Sequence, residues 1–192
     1  MFPSIGREVD LEEWVHGQGI PKDAIEPKSK TLTKIRSLAE GFEGGLNLTA
    51  DDAAKWRAAE WQIYLEALPL VLPHARIAAL DQQFSLSTVR SLTPPPFPLF
   101  AHPRCCGIVQ SPNPELRVAF LTIAANSAYS PCYAAIHKSL VTIGRMKYLT
   151  PLYKGLIAGG EMELAKKIFE EAKDKYHPVA QAVVAALFSK AP

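Results

Sequence analysis

Three features of the sequence point to an all-α chain built from stacked antiparallel helical hairpins. Apolar residues recur at helical spacing in segment after segment. No segment alternates apolar and polar residues with the period of two that a half-buried strand needs. Many of the 16 prolines gather in one interruption, and those elsewhere sit mostly at the edges of the periodic segments, where helices begin. The 192 residues, 48% apolar and 21% charged, suit one ordinary globular domain.

The segments follow in order. Residues 1–28 read as an extended lead-in that lies on a neighbouring surface, with one helical turn at Asp10–Trp14. Gly17, Gly19, Pro21 and Pro27 forbid longer regular structure there. A helical domain then covers 29–192. Leu32, Ile35, Ala39 and Phe42 define one helix face over 29–43, and Gly44-Gly45 stops it. Thr49 is an N-cap with Asp51 and Asp52 in the first turn. The helix it opens carries Ala54, Ala58, Trp61, Leu65 and Leu68 on one stripe. Pro69 and Pro73 separate it from a short helix over 74–84 with Ile77, Leu80 and Phe84. Asn113-Pro114 is the next start signal, followed by Leu116, Phe120, Ile123 and Ala124. Ser130-Pro131 repeats it ahead of Tyr133, Ile136, His137 and Leu140, up to Gly144. A helix over 146–157 contains Pro151, which must lie in the first turn or kink the helix. After Gly159-Gly160, residues Ala165, Ile168, Phe169, Ala172 and Tyr176 face inward. Tyr176-His177-Pro178 turns the chain into a last helix with Val179, Val183, Val184 and Leu187 inward. Short helices with short connectors describe a superhelix of the HEAT or armadillo kind. No repeat of fixed period is visible, so that reading rests on helix lengths.

Composition excludes several function classes. Lys plus Arg is 21 against 19 for Asp plus Glu, a net charge of +2, so the basic excess of a nucleic-acid binder is missing. No apolar run reaches the ~18 residues of a membrane-spanning helix. The first residues have neither the basic nor the apolar region of a secretory signal. Three cysteines, two of them adjacent, are no disulfide framework and fit a reducing, cytoplasmic setting.

Candidate chemistry is sparse. His16, His74, His102, His137 and His177 form no H-E-x-x-H pattern, so no zinc-hydrolase motif is present and no metal site is expected. His102 with Cys105 and Cys106 reads as plain loop, because adjacent cysteine side chains diverge from a common metal. Asn47-Leu48-Thr49 matches a glycosylation sequon, but Thr49 already has a capping role. Pro95 to Pro98 has the spacing of a polyproline ligand and reads more simply as a solvated loop. Gly144-Arg145-Met146-Lys147 opens a helix, so two cations at a helix N-terminus can converge on one anion. Local chemistry alone leaves a solvated basic turn as the plainer reading.

Gly144-Arg-Met-Lys-Tyr-Leu-Thr-Pro-Leu-Tyr-Lys154, followed by Tyr176-His-Pro178, resembles the C-terminal helical domain of the leukotriene A4 hydrolase and aminopeptidase B group, M1-type zinc aminopeptidases. Trp14-x-x-Gly17-x-Gly19-Ile-Pro21 resembles the segment that enters this domain, and Asn113-Pro-Glu-Leu-Arg117 resembles the start of a later helix. The similarity runs from about residue 9 to 190. It implies a helical superhelix packed on the catalytic domain of the same parent protein and walling the substrate channel. It also implies that Arg145 and Lys147, with Gly144 and Met146 in the turn, hold the free carboxylate of a peptide or of a fatty-acid epoxide. That reverses the plainer reading of the turn.

Two departures stand against the resemblance. The family's zinc helix and amine-recognition motif are absent, so zinc is expected in a full-length enzyme and the isolated chain is expected to be inactive. The proline-rich stretch from Val89 to Gln110 matches nothing in the family pattern. Its valine and glutamine ends are codable by the bases found at intron ends, so it is a retained intron or a genuine insertion. In either case it should loop out at small entropic cost. The competing reading of the whole chain is a free-standing helical scaffold that binds protein partners through a concave face.

Overall fold

The computed structural model describes residues 10–22, 24, 29–42, 48–88 and 111–190. Among them every regular element is a helix: α1 (Leu11–His16), α2 (Lys30–Glu40), α3 (Ala50–Lys55), α4 (Ala58–Ala67), α5 (His74–Thr88), α6 (Pro114–Asn126), α7 (Tyr133–Thr142), α8 (Met146–Ala158), α9 (Met162–Ala172) and α10 (Pro178–Lys190). The stretch 89–110, with His102, Cys105, Cys106 and the polyproline spacing, lies outside the described residues, as does Asn47 of the sequon.

The chain divides into two compact units at Thr33/Lys34. In the first, Asp10 caps α1 by accepting from the Glu13 amide at 3.1 Å. Leu11, Trp14, Val15 and Ile20 are exposed.

In the second unit, the most extensive packing is between helices two apart in sequence, with consecutive helices also in contact. α4 packs on α6, α6 on α8 and α8 on α10, while α7 packs on α9 and α3 on α5. Two such interleaved rows are the architecture of a helical superhelix. The inward faces carry Ile77, Leu80, Leu121, Ile136, Leu149 and Leu156, all buried.

Local chemistry explains most boundaries. Asn113 caps α6 by accepting from the Glu115 amide at 3.0 Å, with Pro114 in the first position. Thr49 caps α3 through the Asp52 amide. α8 ends in a Schellman turn, with Glu161 N–H on Leu156 O at 2.8 Å and Gly160 N–H on Ile157 O at 3.1 Å, and Gly160 at φ +86°. α6 and α8 lie unusually close at that end. A Cβ on Gly155 would sit 2.9 Å from Ala125 Cβ, and one on Gly159 would sit 2.3 Å from Ala125 O.

Three expectations are corrected. The single helix drawn from Thr49 to Leu68 is two, broken at Trp56-Arg57. Arg57 is extended, its N–H donating to Glu60 Oε2 at 3.0 Å, and Trp56 folds back edge-on against Trp61 with ring centroids 5.4 Å apart. Packing that partly buried indole against Trp61 and Tyr64 offsets the turn of helix lost. α5 runs to Thr88, four residues past its expected end. In α10, Val179 is exposed and Ala180 takes the buried position beside Val184. Pro151 lies in the second turn of α8, where it leaves the Lys147 carbonyl without its helical donor.

A buried hydroxyl chain fixes the Tyr176 turn. Tyr176 donates to Leu140 O at 2.7 Å and lies 3.0 Å from the Tyr153 hydroxyl. Phe169 and Phe188 pack on the Tyr153 ring edge-on.

Candidate functional site

Arg145 and Lys147 fall where α8 begins. Arg145 is the N-cap of α8, extended at φ −79° and ψ 122°, and its side chain caps nothing. Its guanidinium is exposed and lies 5.9 Å from the centre of the Tyr148 ring. Gly144 and Met146 are exposed beside it.

Lys147 is held from another helix. Its ammonium lies 2.7 Å from Glu115 Oε1 and 2.8 Å from Glu115 Oε2. The Tyr148 hydroxyl donates to the same Oε1 at 2.8 Å. Glu115 stands in the first turn of α6, where its own amide is tied to the Asn113 cap. The Lys147 and Tyr148 hydrogen bonds hold the Glu115 carboxyl below its ordinary pKa. The same carboxylate raises the Lys147 pKa, and it raises the Tyr148 hydroxyl together with partial burial.

An open cleft of about 230 Å³ adjoins this cluster. Leu65, Leu70, Val118, Ala119, Ile123 and Pro151 give it an apolar lining, and Glu66, Glu115, Lys147 and Tyr148 give it a polar edge. Pro151, awkward in the helix, thus faces the cleft.

The sequence therefore singled out the two cations and missed Glu115 and Tyr148 as their partners. Asn113-Pro-Glu115 was legible only as a helix start. Nothing local announces that it meets a lysine 32 residues on. Among the described residues no three His, Cys, Asp or Glu side chains come together to hold a metal ion.

A family model described as leukotriene A4 hydrolase, C-terminal, matches residues 103–188. Leucine aminopeptidase 2 of Neurospora crassa is 37% identical over 181 residues, covering 92% of this chain. The chain belongs to the leukotriene A4 hydrolase C-terminal domain family. Leucine aminopeptidase 2-1 of Scheffersomyces stipitis is 26% identical over 185 residues, again 92% of this chain. The solved structure of native leukotriene A4 hydrolase from Saccharomyces cerevisiae shares the fold, with a TM-score of 0.65 at 21% identity over 97% of this chain. The chain spans 23% of the Neurospora protein, 27% of the Scheffersomyces protein and 30% of the Saccharomyces structure. It thus corresponds to one domain of larger family members. The leukotriene A4 hydrolase family model begins at residue 103, inside the proline-rich stretch. No helix among the described residues is long and apolar enough to cross a membrane.

Proposed function

We propose that this chain walls the substrate channel of a cytoplasmic zinc aminopeptidase and that Arg145 holds the free carboxylate of the peptide, with Lys147 beside it. The carrying observation is the exposed Arg145 guanidinium at the start of α8, unused as a cap, in a chain of this family. The free N–H groups of a helix start add positive potential at that point. The parent protein supplies the zinc and the water it activates, and this chain supplies the grip that sets where the peptide ends. The same grip serves the carboxylate of a lipid epoxide. Exposed Leu70, Val71 and Met146 are part of the surface that meets the catalytic domain.

The test is Arg145→Ala in the full-length protein. The reading expects kcat/KM for a tripeptide to fall about ten- to a hundredfold relative to that for an uncharged aminoacyl-arylamide, the scale of a charge-assisted bidentate bond. Arg145→Lys should restore only part, since the planar fork is lost. An unchanged ratio in Arg145→Ala returns the residue to a solvated basic turn.

A further inference from the structure

Two cations so close would suit a doubly charged ligand, yet the cluster holds a carboxylate of its own. Glu115 engages Lys147 through both oxygens, at 2.7 and 2.8 Å, and takes a third hydrogen bond from Tyr148 at 2.8 Å. Arg145 has no such partner among the described residues. It lies beside the Tyr148 ring with its guanidinium exposed. The cluster Arg145, Lys147 and Glu115 thus carries the net charge of one cation. Glu66, on the same cleft and within electrostatic range of Lys147, subtracts further.

Resting on the reading of this turn as the carboxylate grip, we propose that Glu115 determines its specificity. It neutralises Lys147, so that the turn accepts a peptide end bearing one carboxylate and disfavours an end bearing two. The substrate class is a peptide with an uncharged C-terminal side chain. Such a side chain entering the cleft meets Leu65, Val118 and Pro151. A C-terminal Asp or Glu side chain in the same place meets Glu66, a like charge that repels it, and a Lys147 whose charge Glu115 already engages. The three bonds to Glu115 also fix the Lys147 and Tyr148 side chains before any ligand arrives, so the discrimination is built in rather than induced.

The test is a nuclear magnetic resonance titration of the 192-residue chain at low ionic strength. The probes are the tripeptides Ala-Ala-Ala and Ala-Ala-Glu, with Ala-Ala-Ala amide as the carboxylate-free control. The wild-type chain should bind Ala-Ala-Ala more tightly than Ala-Ala-Glu. Glu115→Gln keeps an acceptor for Tyr148 and loses the charge. It should shift the ratio of the two dissociation constants toward Ala-Ala-Glu by roughly three- to tenfold, the effect of one unit charge near a screened surface site. Glu115→Asp keeps the charge and should leave the ratio near wild type. An unchanged ratio in Glu115→Gln overturns the proposal, as does an equal shift in Glu115→Gln and Glu115→Asp, which would make fit rather than charge the cause. The two readings fail differently. If Arg145→Ala abolishes the preference for acid over amide while Glu115→Gln leaves the ratio alone, the grip stands and only the Glu115 assignment falls. If neither wild type nor any variant tells Ala-Ala-Ala from its amide, the grip itself falls, and the role of Glu115 with it.

Discussion

Replacing Gly159 by alanine tests how tightly the α6–α8 seam is closed. Gly159 has φ −75°, a conformation any residue adopts, so the substitution brings no backbone strain of its own. The added Cβ would lie 2.3 Å from Ala125 O and 3.3 Å from Ala128 N, both main-chain atoms that no rotamer change can move. Regaining ordinary contact requires the end of α8 to withdraw by roughly 1 Å, loosening the packing along both helices. Gly159 is the C-cap, so the helix-propensity gain of alanine over glycine is not recovered. The cost falls at the upper end of the overpacking range, about 3 kcal/mol. At this chain length each kcal/mol lowers Tm by about 2–4 °C, so Tm should drop by about 6–12 °C. Gly160→Ala is the control. Its φ is +86° but no atom lies within 4 Å, so it pays only for the left-handed conformation, about 1 kcal/mol. Circular dichroism melting at matched concentration gives both values. A Gly159→Ala protein that melts within about 2 °C of wild type, or no lower than Gly160→Ala, refutes the close-seam reasoning.

Two further outcomes follow from buried hydroxyls. Tyr176→Phe strands the Leu140 carbonyl and removes a partner of the Tyr153 hydroxyl, and should lower unfolding free energy in urea by about 1–3 kcal/mol. Tyr64→Phe should cost nothing or stabilise, because the Tyr64 hydroxyl is buried and makes no hydrogen bond among the described residues; equal losses in the two variants would contradict both assignments. At high pH the fold should fail together with tyrosine ionisation. Burial pushes Tyr64 up to about 12, and burial with the Glu161 hydrogen bond does the same for Tyr133. Folded tyrosines therefore hold their protons more strongly than unfolded ones. Their contribution is complete below pH 10 and is lost as pH rises toward 12. Tyrosinate absorbance should rise in step with loss of helical circular dichroism, and a full titration at ordinary pH with the helices intact would count against the burial.

How much was legible depended on whether the signal was local. Asn113-Pro114 starts a helix because a capping side chain and a preset φ act within three residues, and α6 begins there. The inward face Ala165, Ile168, Phe169, Ala172 and Tyr176 is buried as its spacing requires. The break at Trp56 was hidden because alanines at 53, 54, 58 and 59 keep helical periodicity running through it. What decides it is an aromatic cluster that forms only in three dimensions. The pairing of helices two apart was hidden for a related reason. Its mark is a pair of glycines four residues apart, Gly155 and Gly159, whose value appears only when Ala125 lies opposite. At the site, the cations stood out as neighbours in sequence, while Glu115 reaches Lys147 across 32 residues.

The same helix pair joins fold to site. Glu115 at the start of α6 meets Lys147 and Tyr148 at the start of α8, while Ala125 near the end of α6 meets Gly155 and Gly159 near the end of α8. The two helices therefore run side by side in the same direction, in contact at both ends. Lys147 is fixed by that geometry, since both ends of its salt bridge are on packed helices. Arg145 sits one step before α8, outside the packed length, with its side chain in solvent. Ordering a free arginine on a ligand costs up to about 2 kcal/mol of side-chain entropy. A planar, doubly hydrogen-bonded partner offsets that cost better than a single acceptor. A carboxylate is such a partner, so on the reading proposed for this turn the free member of the pair is the one whose shape selects the ligand, while the fixed member and its glutamate set how much charge that ligand is allowed to bring.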